Sequence, residues 1–130
     1  MDGDPVRLLV VDDQPAFRAV VARVLARLPG FELAGEAGSG EEAVTAAGVL
    51  RPDMVLMDVH LPGIDGIEAA AGVVRIAPGT VVVLCSTYDI DDLAVPAGAS
   101  GVAGYLNKEA LSTDALRELW EQLGPTVATT

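Results

Sequence analysis

The chain has 130 residues, of which 51% are hydrophobic and only five are aromatic, and its net charge is −11 at pH 7. This length predicts one domain with a core built mainly from aliphatic side chains. The large negative charge argues against direct contact with a nucleic-acid backbone or an anionic membrane. The single cysteine, Cys85, excludes an internal disulfide and is predicted to be a small buried core residue. No apolar stretch reaches transmembrane length and the first residues are acidic, so we expect a cytoplasmic protein.

Strand-like and helical segments alternate along the whole chain. Short apolar runs bounded by glycine, proline or polar residues are typical of strands. The segments between them carry apolar residues at helical spacing. The predicted elements are a strand over 6–11, a helix over 15–28, a strand over 31–37, a helix over 40–50, a strand over 53–58, a helix over 66–76, a strand over 81–85, a helix over 89–101, a strand over 102–106 and a helix over 113–123.

Local signals mark where the helices begin. Asp13 is predicted to cap the first helix, with Pro15 in its first turn. Ser39 and Glu42 predict a capping box at the second helix, and Ser112 is predicted to cap the last one. These positions agree with the boundaries that the apolar periodicity indicates.

Five strand–helix units in succession predict an α/β fold, with a parallel sheet covered by helices on both faces. We expect a flavodoxin-like, doubly wound (βα)5 sheet with the strand order 2-1-3-4-5. The run over 81–85 is the most apolar and is predicted to be central, whereas the less hydrophobic run over 31–37 is predicted at an edge. The domain is expected to cover 1–123, and 124–130 to be the start of a linker or a disordered tail.

Acidic residues stand where two of the predicted strands end. Asp12 and Asp13 follow the first strand and Asp58 ends the third, and the expected strand order makes these strands neighbours. Three carboxylates at one sheet edge repel each other strongly unless a cation lies among them. Lys108, the only lysine, and Ser86 stand at the ends of the fifth and fourth strands. The sequence therefore predicts an acidic pocket with a positive charge beside it.

Taken together, these residues resemble the receiver domain of bacterial two-component response regulators, over nearly the whole chain. The resemblance is carried by four motifs, in the right order, at four strand ends. They are Asp12-Asp13, Asp58 followed by Leu61-Pro62-Gly63-Ile64-Asp65-Gly66, the hydroxyl of Ser86, and Tyr105-Leu106-Asn107-Lys108. Residues 12–18 and 104–110 further resemble the subfamily whose output is a LuxR-type helix-turn-helix, the NarL-like regulators.

The resemblance implies a role for each pocket residue. Asp58 is implied to be the phosphoacceptor that attacks a phosphohistidine on a sensor histidine kinase. Lys108 is implied to pair with Asp58 before the transfer and with a phosphoryl oxygen after it. Mg2+ is the implied cofactor, held by Asp13, Asp58 and the backbone carbonyl of His60, with Asp12 acting through a metal-bound water. The side chain of His60 is expected to be exposed at the mouth of the pocket.

The resemblance also implies a switch rather than an enzyme that acts on an external substrate. Ser86 is implied to donate its hydroxyl to a phosphoryl oxygen, and Tyr105 to turn from an outer to an inner rotamer behind it. The surface of the helix over 89–101, the fifth strand and the last helix then changes. The implied partners are the kinase, a second copy in a homodimer, and a C-terminal DNA-binding output domain that is missing from this chain.

Two features depart from the family pattern. Thr87 follows the switch hydroxyl, where the family usually has alanine or glycine, and its branched side chain predicts slower phosphotransfer and slower hydrolysis. The helix over 89–101 contains Pro96, which costs about 3 kcal/mol relative to alanine inside a helix, and Gly98, which costs up to about 1 kcal/mol. We predict that this helix is short or distorted.

Two other functions fit parts of the pattern. A phosphatase of the haloacid-dehalogenase type also uses a strand-end aspartate, Mg2+ and a lysine. It needs a second acid two residues after the nucleophile, where this chain has Gln14 after Asp12 and Pro15 after Asp13. A receiver that is not phosphorylated and serves only as an interaction module is the other alternative. For single residues, three other readings also stay open: Asp12 as a helix cap, Ser86 as a loop residue bonded to the backbone, and Tyr105 as a core residue.

Overall fold

The computed structural model describes residues 3–87 and 101–125. Its elements are β1 (Val6–Val11), α1 (Pro15–Ala26), β2 (Phe31–Ala37), α2 (Gly40–Leu50), β3 (Met54–Asp58), α3 (Gly66–Ile76), β4 (Val81–Ser86), β5 (Val102–Asn107), a 3-10 turn (Lys108–Ala110) and α4 (Thr113–Leu123). The predicted helix between β4 and β5, with Pro96 and Gly98, lies outside the described residues. Among the helices of the described ranges, none has the length and apolar character that a bilayer span requires.

The five strands of the described ranges form one parallel sheet in the order β2-β1-β3-β4-β5. This order confirms the flavodoxin-like, doubly wound fold expected from the sequence. β1 and β3 are neighbours, and β4 lies between β3 and β5, with Asp58 opposite Cys85 and Ser86 opposite Asn107. The C-terminal ends of β1, β3, β4 and β5 therefore meet at one edge of the sheet.

Both faces of the sheet are buried, because successive residues of a strand face opposite sides. One side packs against α2 and α3 and is called the first core here, and the other packs against α1 and α4 and is called the second core. In β1, Leu9 and Val11 belong to the first core, whereas Leu8 and Val10 belong to the second. All of β3 and β4 is buried, and β2 is partly exposed at its edge of the sheet.

The start of α1 differs from the prediction. Gln14 is the N-cap residue, its side chain makes no capping hydrogen bond, and Asp13 is not the cap. Instead, Oδ1 of Asp12 accepts the backbone N–H of Gln14 at 2.8 Å. The buried carboxylate thus gains a backbone donor, which a buried charge needs more than an exposed one does. The helix ends at Ala26, two residues before the predicted boundary.

Side-chain caps begin the next two helices. Ser39 accepts the N–H of Glu42 at 3.1 Å, but the carboxylate of Glu42 accepts the N–H of Gly38 at 2.8 Å, so only half of the predicted capping box forms. A full capping box, which was not among the predicted helix starts, joins Asp65 and Glu68 at the start of α3. This box fixes the direction in which the chain leaves the end of β3.

Candidate functional site

Three carboxylates meet where β1 and β3 end. Asp12 follows β1 and is fully buried, Asp58 ends β3 and is 8% exposed, and Asp13 is exposed beside them. One carboxylate oxygen from each residue lies within 4.8 Å of the other two. The topology explains this arrangement, since neighbouring parallel strands bring their C-terminal ends to the same edge. The predicted acidic cluster is thus present, with Asp13 on its solvent side.

The ammonium group of Lys108 reaches this cluster from the end of β5. Its Nζ donates a hydrogen bond to Oδ2 of Asp12 at 2.7 Å and lies 3.8 Å from Oδ2 of Asp58. The resemblance implies Asp58 as the main partner, whereas the shorter contact is with Asp12. The physical reason is burial: the carboxylate of Asp12 is shielded completely from water and gains most from a hydrogen-bonded cation.

An aromatic ring also lies beside the ammonium group. Nζ of Lys108 lies 4.4 Å from the centroid of the Phe17 ring, which is within the range of a cation–π interaction. Phe17 lies in the first turn of α1 and packs, partly buried, against the second core. The helical spacing of the apolar residues in α1 predicts only that Phe17 faces the core, and such spacing does not indicate contact with a cation. Helical periodicity alone therefore does not identify Phe17 as a residue of the site.

Burial and neighbouring charges shift the pKa values of the two central groups. Burial raises the pKa of Asp58, the positive charge of Lys108 partly lowers it, and the carboxylate of Asp12 raises it further. Burial alone lowers the pKa of Lys108, but the hydrogen bond to Asp12 and the charge of Asp58 outweigh it, so the net shift is upward. Lys108 therefore remains protonated at neutral pH. A further cation beside Asp58 would favour its ionised, nucleophilic form.

The donor atoms of the cluster fit a hard divalent cation. All three side chains offer carboxylate oxygens, the ligands that Mg2+ prefers. Mg2+ also keeps several water ligands, and the exposed side of Asp13 leaves access for them. Lys108 offsets only one of the three negative charges. The residues present therefore suit a Mg2+ site both in ligand type and in charge.

A second cationic side chain supports the loop that carries Asp12 and Asp13. From α1, Arg18 donates through Nη1 to the backbone carbonyl of Asp12 at 2.7 Å and through Nε to Glu36 at 3.0 Å. Because Glu36 belongs to β2, this side chain ties the β1–α1 loop to the neighbouring strand. Arg18 belongs to the motif that carries the resemblance, but the sequence alone indicates no role for it.

The loop after Asp58 packs closely against the C-terminal end of β3. The N–H of His60 donates to Oδ1 of Asp58 at 3.4 Å, and His60 is exposed, as expected. Gly66 begins α3 so close to β3 that a Cβ atom there would clash with the carbonyl oxygen of Asp58. From α2, Glu41 accepts the N–H of Ile64 at 3.3 Å. These contacts hold the backbone on both sides of the loop, and with it the orientation of Asp58.

The two predicted switch residues belong to β4 and β5. Ser86 is the last residue of β4 and is 3% exposed, so it lies at the same sheet edge as the acidic cluster. Tyr105 lies within β5 and packs, partly buried, against the first core. Thr87 follows Ser86 and is exposed. The structure therefore brings Ser86 to the site, while Tyr105 lies two residues before the C-terminal end of β5, in contact with the first core.

The sequence matches a known family of domains. The family model described as the response regulator receiver domain matches residues 8–121. Response regulator GacA of Pseudomonas viridiflava is 41% identical over 105 residues, which cover 81% of this chain and 49% of that protein. The transcriptional regulatory protein DegU of Brevibacillus brevis is 34% identical over 118 residues, which cover 91% of this chain and 50% of that protein. The chain thus spans about half the length of these curated relatives.

A solved structure has the same fold along nearly its whole length. The signal receiver domain of NarL from Mycobacterium tuberculosis matches with a TM-score of 0.83 and 32% identity, over 93% of this chain and 98% of that chain. The family match spans the three clustered aspartates and Lys108. The chain therefore belongs to the response regulator receiver domain family, the regulatory domains of phosphorylation-dependent signalling.

Proposed function

We propose that this domain is a signalling switch that receives a phosphoryl group on Asp58. The observation that carries the proposal is the position of Asp58, which ends β3 among three clustered carboxylates and lies 3.8 Å from the only lysine in the chain. Asp58 is 8% exposed, so a phosphoryl donor would approach it from the solvent side, beside Asp13. Membership of the receiver family supports the same assignment.

The proposed reaction moves a phosphoryl group from nitrogen to oxygen. A carboxylate oxygen of Asp58 attacks the phosphorus of a phosphohistidine on a sensor histidine kinase. A P–O bond forms and the P–N bond breaks, with its electron pair returning to the imidazole, which then takes a proton from solvent. Attack of water on the aspartyl phosphate later releases inorganic phosphate and restores the carboxylate. The domain would thus catalyse only its own phosphorylation and dephosphorylation.

We assign Mg2+ to the acidic cluster. Asp13 and Asp58 would bind it through their side chains, and the backbone carbonyl of His60 would be the third protein ligand. The hydrogen bond at 2.7 Å between Asp12 and Lys108 supports an indirect role for Asp12, through a metal-bound water. When bound, Mg2+ offsets the negative charge of the carboxylates and of the phosphoryl oxygens.

Lys108 and Ser86 are the proposed groups that respond to the phosphoryl group. The ammonium of Lys108 is within 3.8 Å of Asp58 while it is bonded to Asp12, so a small movement would bring it to a new anion on Asp58. Ser86 would donate its hydroxyl to another phosphoryl oxygen, and Tyr105 would fill the space behind it. The surface of β5, α4 and the segment before β5 would then have two states, which phosphorylation biases.

The proposed partners follow from the relatives. DegU is a transcriptional regulatory protein and GacA is a response regulator, and this chain covers about half of each. We therefore propose transcription as the output, through a C-terminal helix-turn-helix domain. As the sequence resemblance implies, the proposal also includes a receiver over 1–123, a linker from 124 and a homodimer. The net charge of −11 suits a domain that itself contacts neither nucleic acid nor membrane, and we propose a cytoplasmic location. The coding sequence beyond Thr130 tests the proposed output.

Intact-mass spectrometry tests the phosphoacceptor. Acetyl phosphate with Mg2+ is expected to add one phosphoryl group to the wild-type domain, and chelation of Mg2+ to prevent it. Asp58→Asn should abolish the gain, whereas Asp114→Asn, at an exposed position of α4, should leave it unchanged. No gain in the wild type would indicate an interaction module that is not phosphorylated. A gain that persists in Asp58→Asn would assign the acceptor to another residue.

A further inference from the structure

Two carboxylates and an aromatic ring lie close to the ammonium group of Lys108. Oδ2 of Asp12 lies at 2.7 Å, Oδ2 of Asp58 at 3.8 Å, and the centroid of the Phe17 ring at 4.4 Å. The two carboxylates have roles in the proposed phosphoryl transfer, whereas the ring has none. We propose that Phe17 is a positioning residue, whose ring face keeps the ammonium of Lys108 between the two carboxylates. Its effect on phosphorylation rests on the proposed function, but the contact itself does not.

The chemistry of the ammonium explains why a ring is suited to this position. A lysine side chain is flexible, and its strongly hydrated ammonium tends to move out to water. The negative face of an aromatic ring attracts the ammonium without accepting a conventional hydrogen bond, so its N–H groups stay available for carboxylate or phosphoryl oxygens. Only 12% of the Lys108 side chain is exposed, and cation–π interactions are stronger where the cation is shielded from water.

The same segment of chain supplies both the acids and the ring. Asp12 and Asp13 lie in the loop before α1, and Phe17 follows in the first helical turn. The hydrogen bonds of Arg18 to the Asp12 carbonyl and to β2 hold that loop in place. The ring is therefore fixed relative to the acids. Lys108, which is 96 residues away from Asp12 in the sequence, contacts both the ring and the acids.

The Phe17 ring both packs in the second core and contacts the cation, so an experiment has to distinguish these two effects. Another phenylalanine of the chain provides a matched control. Phe31 is the only other phenylalanine, and it is also partly buried against the second core. It begins β2, so it lies at the opposite end of the sheet from the acidic cluster. Phe31→Leu therefore removes the same atoms from the same core without touching the site.

A double-mutant cycle measures the contact in the metal-free domain. Phe17→Leu should raise the unfolding equilibrium constant about threefold to tenfold more in the wild type than in Lys108→Met. Phe31→Leu should raise it equally in both backgrounds. An equal effect of Phe17→Leu in both backgrounds would mean that the ring only packs, and the proposal would be wrong.

Nuclear magnetic resonance gives a second reading that does not require Lys108→Met to fold. Because Lys108 is the only lysine, isotope-labelled lysine produces one set of side-chain signals. The ring should shift the ε-methylene proton signal of Lys108 upfield. Phe17→Leu should remove this shift. Phe17→Tyr and Phe31→Leu should both retain it. Identical ε-methylene signals in the wild type and Phe17→Leu would overturn the proposal.

Phosphorylation by acetyl phosphate then tests the consequence for the reaction. Phe17→Leu should be phosphorylated about threefold to tenfold more slowly than the wild type, while Phe17→Tyr and Phe31→Leu should react at nearly the wild-type rate. An unchanged rate in Phe17→Leu would refute the positioning role. A wild type that takes no phosphoryl group, but shows the upfield shift and the coupling to Lys108, would refute the proposed function and leave the ring–ammonium contact established.

Discussion

Removing the negative charge of Asp58 is expected to stabilise the metal-free domain. At an effective dielectric constant of about 20, the attraction between Lys108 and Asp58, 3.8 Å apart, is about 4 kcal/mol. Repulsion from Asp12 and from Asp13, whose carboxylate oxygens lie within 4.8 Å, is at least about 3.5 kcal/mol each before screening by water. Water around the exposed Asp13 weakens its contribution, which leaves a net repulsion of about 1–2 kcal/mol. The burial that raises the pKa of Asp58 acts in the same direction.

The substitution Asp58→Asn keeps the shape of the side chain and removes its charge. Without metal, it should raise the free energy of unfolding by about 1–2 kcal/mol. Asp4→Asn removes the same charge at an exposed position and should change stability by less than about 0.5 kcal/mol. At one hundred times its dissociation constant for the wild type, Mg2+ should reverse the order of stability, because the wild type then gains about 2.7 kcal/mol. Asp58→Asn lacks one of the proposed Mg2+ ligands, so Mg2+ should stabilise this variant much less.

The pH dependence of stability independently checks whether the charge of Asp58 destabilises the folded domain. The pKa of Asp58 is raised in the folded state, so its ionisation opposes folding. The advantage of Asp58→Asn should therefore be largest above the folded pKa and disappear as the pH falls towards 3.8, the ordinary value of the carboxyl group. Urea unfolding in chelator and in Mg2+, followed by the fluorescence of the single tryptophan, measures both effects. Repulsion at Asp58 would be refuted by a metal-free Asp58→Asn that is less stable than the wild type at pH 7. Equal stabilisation of both proteins by Mg2+ would refute the role of Asp58 as a metal ligand.

Four further outcomes are expected. Thr87→Ala should shorten the lifetime of the phosphoryl group on Asp58, because the exposed branched side chain no longer hinders water; an unchanged decay measured by intact mass would contradict this. Gly66→Ala should lower the free energy of unfolding by about 1–3 kcal/mol in urea titrations, since its Cβ meets the carbonyl oxygen of Asp58. Arg18→Gln should weaken Mg2+ binding about tenfold in a fluorescence titration, because the β1–α1 loop loses a hydrogen bond of 2.7 Å. Burial raises the pKa of Cys85 to about 12, so its thiol should resist a disulfide reagent at pH 8 until the domain unfolds.

The arrangement of strands could be predicted because its signals are local and strong. Alternation of strands and helices leaves few possible topologies. The continuous apolar run of β4 indicates a central strand, whereas the glutamates and glycine of β2 indicate an edge. Once the order of the strands is known, the acids that follow β1 and end β3 must lie at the same sheet edge. The location of the acidic cluster therefore follows from the sequence.

The pairing of side chains within the cluster could not be predicted in the same way. Lys108 lies 96 residues from Asp12, and two carboxylates are within reach of its ammonium. Their relative burial decides between them: Asp12 is fully buried and Asp58 is 8% exposed. Such a difference depends on how α1 and the β1–α1 loop cover the end of the sheet, and no spacing in the sequence encodes it. The misassigned cap of α1 has the same origin, since Asp12 rather than Asp13 faces the backbone of Gln14.

Phe17 illustrates a more general limit of periodicity. An apolar residue at helical spacing is assigned to the core, and the spacing is the same whether its ring only packs or also covers a cation. Here it does both, because the end of β5 carries Lys108 to the ring, which lies in the first turn of α1. The informative signal is a combination across the chain: an aromatic residue one helical turn after an acidic strand end, and a solitary lysine at the end of another strand. Each half is unremarkable alone, and only the strand order brings the two together.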